Sequence, residues 1–183
     1  MCKASQFSRC ALVAVALLLP QTASEAQQPV TQPAMKADFL YKFVKFAQWP
    51  GHTTDPLALC VLDDAAVDRA LEQLVRGSTI GGRTIEVIRI SRDRQMRSCH
   101  LLYVSGVDAG LAAVLEEVKG APVLTVSDGE QFPRLGGVIG VFLDGGKMRF
   151  AVNADAAQRA GIQLSAKLLT LAKLVKDPRG AQP

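Results

Sequence analysis

The chain has 183 residues, 49% of them hydrophobic, and a formal charge of +4. That length and apolar content suit one domain with a sizeable core and exclude a disordered chain. The small positive charge, with no long run of Lys or Arg, excludes a nucleic-acid footprint and leaves a solvated surface as the plain reading.

The N-terminus reads as an export signal. Lys3 and Arg9 supply a positive start, Ala11–Leu19 an apolar core, and Ser24-Glu25-Ala26 a small-x-small cleavage site. The apolar core is shorter than the ~20 residues that span a bilayer, which sets cleavage above an uncleaved anchor. Removal of residues 1–26 takes away Lys3, Arg9 and Glu25 and leaves a charge of +3. Residues 27–35 form a Gln/Pro-rich leader, 36–176 the folded domain and 177–183 a tail.

The first helix is expected from about Pro33 to Gln48, where Trp49-Pro50 stops it. Phe39, Leu40, Phe43, Phe46 and Ala47 form its apolar band, and Asp38 and Lys42 an i, i+4 pair. Core packing is one reading of the band. The other takes Phe39, Phe43, Phe46 and Trp49 as a dimer or partner surface, with Trp49 either a binding hot spot or a lid on the core.

Leu57–Leu62 reads as a strand ending in Asp63-Asp64, and Ala65–Val75 as an amphipathic helix with Val67, Leu71, Leu74 and Val75 on one side. Gly77–Arg83 reads as a loop, Thr84–Ile90 as a strand and Ser91–Ser98 as a loop or short helix. Leu101–Val104, the helix Ala109–Val118 and the strand Val123–Val126 follow. Val138–Leu143 and the alternating segment at Met148, Phe150 and Val152 flank Asp144-Gly145-Gly146, a β-hairpin pattern. Asn153 caps a short helix that stops at Gly161. Ser165 caps a last helix, in which Leu168, Leu171, Ala172 and Val175 share a face and which Pro178 ends.

Alternating strands and helices predict an α/β fold: a single three-layer domain with a largely parallel wound sheet, a C-terminal hairpin at an edge and C-terminal helices. The default order of its first four strands is 2-1-3-4. Cys2 and Cys10 fall in the signal, so Cys60 and Cys99 remain as an even pair in an oxidising compartment, read as a disulfide with two buried free thiols as the alternative. In a 2-1-3 order the strand carrying Cys60 near its start and the one that Cys99 precedes are neighbours, so both cysteines lie near the N-terminal ends and are close enough for a bridge.

No catalytic, cofactor-binding or metal-ligating set emerges. His52 and His100 are the only histidines, and a metal centre needs three or four ligands. A Ser127–His100–Asp128 triad fails because His100 belongs at the N-terminal edge of the sheet and Ser127 at the opposite one. That C-terminal edge is where open α/β sheets bind ligands, and it would gather Asp63, Asp64, Ser105, Ser127 and Asp128. Ser165 and Lys167, at the start of the last helix, are further ligand candidates. Each of these residues is also an ordinary turn or cap.

Several segments carry a resemblance: LTVSD at Leu124–Asp128, LGGVIG at Leu135–Gly140, RFAVN at Arg149–Asn153, AGIQLSAKLLTLA at Ala160–Ala172, and KADFLYKFVKFAQWP at Lys36–Pro50. In this order and spacing they resemble the YfiR/HmsC family of small periplasmic regulators. LCVLDD at Leu59–Asp64 and SCHLLYVSG at Ser98–Gly106 look like the family segments that carry a cysteine pair. The resemblance implies a periplasmic homodimer that represses an inner-membrane diguanylate cyclase by binding its periplasmic sensor domain, so controlling cyclic di-GMP and biofilm formation. It also implies an outer-membrane lipoprotein that sequesters the repressor. No cysteine follows Cys99, so redox control through the second disulfide that the best-known family member carries nearer its C-terminus cannot carry over. The alternatives are a periplasmic small-molecule sensor acting on another membrane partner, and an enzyme with an unrecognised site.

Overall fold

A computed structural model describes residues 32–51, 55–91, 96–106 and 110–176. The signal, most of the leader, His52 and the tail therefore lie outside the described residues. Helix α1 (Gln32–Lys45) leads to β1 (Ala47–Gln48), β2 (Leu57–Leu62), α2 (Ala65–Val75), β3 (Thr79–Ile80) and β4 (Arg83–Ile90). A 3₁₀ turn at Met96–Ser98 precedes β5 (Leu101–Val104), α3 (Gly110–Glu117) and β6 (Leu124–Asp128). After a second 3₁₀ turn at Phe132–Leu135 come β7 (Ile139–Asp144), β8 (Lys147–Val152), α4 (Ala154–Arg159), β9 (Gln163–Leu164), α5 (Ala166–Leu171) and β10 (Lys173–Leu174).

The main sheet runs β10-β8-β7-β6-β5-β2-β4-β3. Strands β4, β2, β5, β6 and β7 are parallel, so the expected 2-1-3-4 order is present as β4-β2-β5-β6. Both faces are covered, and the central strands accordingly read as continuous apolar runs. Leu59, Val61, Leu101, Tyr103, Leu124 and Val126 belong to one core with α1 and α2 residues such as Leu40, Phe43, Val67 and Leu71. Cys60, Leu62, Leu102 and Val104 belong to a second core with Leu111 and Val114 of α3. Alternate side chains along each strand feed the two layers.

The hairpin forms at the expected turn. β7 and β8 pair antiparallel up to Asp144↔Lys147, and Gly145 and Gly146 close the loop at φ +55° and +75°, a conformation in which a Cβ would be strained. The LGGVIG segment has a steric basis. A Cβ at Gly137 would meet the Phe132 ring, and one at Gly140 would meet the Gly129 carbonyl and Pro133.

Four expectations change. Helix α1 stops at Lys45, because Ala47 and Gln48 pair with Leu164 and Gln163. The expected loop 77–83 contains β3, which folds back on β4. The last helix is only six residues long. Lys173 and Leu174 instead extend beside Ala151 and Val152, and the Val175 N–H donates to the Val152 carbonyl at 2.8 Å. Leu171 is consequently 71% exposed rather than part of a buried helical stripe. With β10 outside β8, the hairpin is not the sheet's edge.

Candidate functional site

The C-terminal edge of the parallel strands holds a compact polar cluster. Tyr103, fully buried in β5, points its hydroxyl at the carboxylate of Asp128, 3.1 Å from both oxygens. Lys36, from the first turns of α1, reaches across with its ammonium 3.0 Å from the Tyr103 oxygen and 2.9 and 3.0 Å from Asp128 Oδ1 and Oδ2. The Gly106 N–H donates to Asp128 Oδ2 at 3.3 Å. One carboxylate thus collects a charged donor from α1 and a neutral and a backbone donor from β5 and the turn after it.

Burial sets the electrostatics. Loss of hydration pushes the Tyr103 hydroxyl up to about 12; the nearby Asp128 charge acts the same way, and the hydrogen bond from Lys36 only partly opposes it. For Lys36, burial by itself lowers the pKa, but hydrogen bonds to Tyr103 and Asp128 outweigh it, and the net shift is upward. The ammonium and the neutral phenol are therefore both held across the neutral range. Beside the cluster a cleft of about 240 Å³ opens between Gln32, Lys36 and Asp128 on one side and Phe142, Leu143 and Met148 on the other.

The other edge candidates are spoken for locally. Ser127 is fully buried, and its hydroxyl, with one proton to give, lies 2.7 and 2.9 Å from the carbonyls of Val104 and Gly106. Asp64 caps α2, accepting from the N–H groups of Ala66 and Val67, and lies 3.5 Å from the Ser105 hydroxyl. Asp63 sits in the turn at φ +62°. Ser165 caps α5 by accepting from Leu168 N–H. Lys167 places its ammonium 5.6 Å from the centre of the Phe46 ring. Phe46 lies ten residues along from Lys36, about 15 Å at the rise of a helix, so Ser165 and Lys167 do not join the Asp128 cluster.

The aromatic band of α1 divides in the same way. Phe43 is 1% exposed and packs edge-on against Phe39 and Phe150, with centroids 5.8 and 5.2 Å away. Trp49 is 8% exposed; its indole N–H donates to the Pro122 carbonyl at 3.0 Å, and its ring meets His100 edge-on. These two are core and lid, because the sheet face beneath α1 must be covered, and neither presents a surface in this chain. Phe39 and Phe46 are half-buried and keep part of their rings outward.

At the N-terminal edge Cys60 and Cys99 form the disulfide, with Cα atoms 5.9 Å apart. Cys60 is the fourth residue of β2 rather than near its start, and the 3₁₀ turn at Met96–Ser98 brings Cys99 up to meet it. His100 accepts from the Ala58 N–H through Nδ1 and faces Arg83 through Nε2. No group of three or more potential metal ligands occurs among the described residues.

Sequence reasoning missed Lys36 and Tyr103. The available signal was Tyr103 itself, a phenol inside an apolar strand, whose hydroxyl requires a partner once buried.

A family model described as YfiR/HmsC-like matches residues 33–173, from the first turn of α1 to β10. The chain belongs to the YfiR/HmsC-like family. Members of this family are periplasmic regulators of the cyclic di-GMP pathway rather than enzymes. No match was found among curated proteins. Among solved structures, a conserved domain protein from Vibrio cholerae O1 biovar El Tor N16961 is similar at 10% identity, with a TM-score of 0.53 over 80% of this chain and 60% of that one. An ABC domain from Streptococcus pneumoniae, crystallised with L-Trp, gives 13% identity and a TM-score of 0.47 over 78% of this chain and 60% of that one. The YfiR-like chain thus spans three-fifths of each of these two structures, and the first shows likeness of fold alone. No described helix is long and apolar enough to cross a membrane.

Proposed function

We propose that this YfiR-like protein is exported to the periplasm and there represses an inner-membrane diguanylate cyclase by binding its periplasmic sensor domain. The observation that carries the reading is the family match, which extends over residues 33–173, nearly all of the folded domain. The site geometry agrees with it. The polar groups at the ligand-binding edge of the sheet are occupied with one another, which directs attention to surfaces as the working parts.

Such a repressor acts by differential affinity. It shifts the cyclase toward an inactive state only by as much as it prefers that state. A homodimer presenting two copies of its binding surface suits a two-fold receptor, and the outward parts of Phe39 and Phe46 are candidates for that surface. An outer-membrane lipoprotein that binds the free repressor would release the cyclase by mass action.

The test is cellular cyclic di-GMP in a deletion strain complemented with exported or cytoplasmic copies. A rise on deletion that only the exported copy reverses is expected. An unchanged level on deletion overturns the repressor reading.

A further inference from the structure

Strand β4 has eight residues, but its outer neighbour β3 pairs only with Arg83 and Thr84. From Ile85 to Ile90 the inner side of β4 pairs with β2 residue by residue, and the sheet order ends with β3, so no strand among the described residues pairs with the outer side of these six. The direction of the backbone groups follows from Thr84, whose N–H donates at 2.8 Å to Asp55, just ahead of β2. Peptide groups alternate along a strand, so those of Val87 and Arg89 face outward.

Natural edge strands are blunted by shortness, proline, bulges or inward charges. Residues Ile85–Ile90 show none of these except Glu86 and Arg89, and the half-buried Ile85, Val87 and Ile88 give the edge an apolar character. The two charges differ. Arg89 is already paired, its Nε and Nη2 at 3.0 and 2.7 Å from the buried Asp68 carboxylate. Glu86 is exposed and has no ion pair among the described residues.

We propose that the outer edge of β4 is a strand-addition site for an extended, β-branched segment of a partner protein carrying a Lys or Arg opposite Glu86. Strand addition supplies main-chain hydrogen bonds for affinity and cross-strand side chains for choice of partner. A second copy of this chain fits less well. In two-fold antiparallel pairing, facing residues lie on the same side of the sheet, so registers centred on Val87 or Ile88 place Glu86 opposite Ile88 or Ile90, never a cation. The proposal rests on the reading of this protein as one that binds a partner, and it names the chemistry of that contact.

The test uses the purified mature protein and two synthetic octapeptides of alternating valine and threonine, one with a central lysine and the other with glutamate there. The lysine peptide is expected to bind more tightly by about five-fold, the size of a favourable against an unfavourable cross-strand charge pair. It should also slow hydrogen exchange at the Val87 and Arg89 amides. Val87→Pro removes an outward donor, which an edge strand tolerates, and should abolish binding. Glu86→Lys, a surface change that does not depend on the proline variant folding, should invert the peptide preference. Failure of the lysine peptide to bind, equal binding of both peptides, or protection elsewhere overturns the proposal. So does a dimer that Val87→Pro converts to monomer, since the edge would then belong to a second copy. These readouts involve no cyclic di-GMP, so they can fail while the repressor reading stands, and the reverse.

Discussion

At the N-terminal edge of the parallel strands, β2 is bound covalently to the segment before β5, and Trp49 lies over that end of the sheet with its indole on Pro122. At the C-terminal edge, side chains from α1 and β5 share the carboxylate of Asp128 in β6. The first edge is held by a bond and an aromatic lid that do not titrate near neutrality. The second is held by charges, and only because each has a partner at hydrogen-bond distance. An open α/β sheet normally offers its second edge to a ligand. Here an ammonium from the chain's own first helix stands in that position, so α1 is tied to the sheet by its charge as well as by its aromatic band.

The largest effects should come from the apolar and covalent parts. Phe43→Ala removes a 1%-exposed ring from its contacts with Phe39 and Phe150, and a loss of about 3–5 kcal/mol is expected in urea unfolding. A loss under about 1 kcal/mol would mean that α1 is not seated as described. Replacing both Cys60 and Cys99 by Ser opens a loop with a sequence separation of 39, worth about 4 kcal/mol on the chain-entropy model. Wild-type protein treated with reductant should match that variant. Equal stability of oxidised and reduced protein would show that this edge is held by packing alone.

The same two edges show how far the sequence could be read. The strand order was legible because long apolar runs alternate with helices, and this order placed Cys60 beside Cys99. The two-residue strands β1, β3, β9 and β10 were not, since two residues carry no period. Leu168, Leu171, Ala172 and Val175 have helical spacing, yet Val175 is buried as an extension of β10, because a hydrogen bond to Val152 outweighs spacing in a short segment. At the C-terminal edge, Ser127 and Asp128 were visible as turn residues. Lys36 was not: it is 67 residues from Tyr103 and 92 from Asp128, and no local pattern links such positions.

Smaller effects are expected from the charged edge, and they sharpen the contrast. Asp128→Ala strands the Lys36 ammonium and the buried Tyr103 hydroxyl together. A loss of about 2 kcal/mol is expected, below the cost for a fully buried pair because the Lys36 and Asp128 side chains remain 18% and 24% exposed. A double-mutant cycle with Lys36→Met should show coupling between the two; simple additivity would dissolve the cluster as a unit.

The smallest change, Tyr103→Phe, deletes one hydroxyl and should cost about 1 kcal/mol at neutral pH, with a distinct signature in alkali. The Tyr103 pKa is raised from 10.0 to about 12 in the folded chain, and that of Lys36 is raised above 10.5. Both groups hold their protons more tightly when folded. Their contribution is therefore complete below pH 10 and is lost as the pH rises from 10 through 12, where the unfolded chain has already released its protons. Wild-type stability should fall across that window, and Tyr103→Phe should fall less steeply, while the disulfide variant should keep the wild-type slope from a lower starting point. Parallel curves for wild type and Tyr103→Phe would mean that the phenol is hydrated in solution and that the C-terminal edge is looser than the N-terminal one.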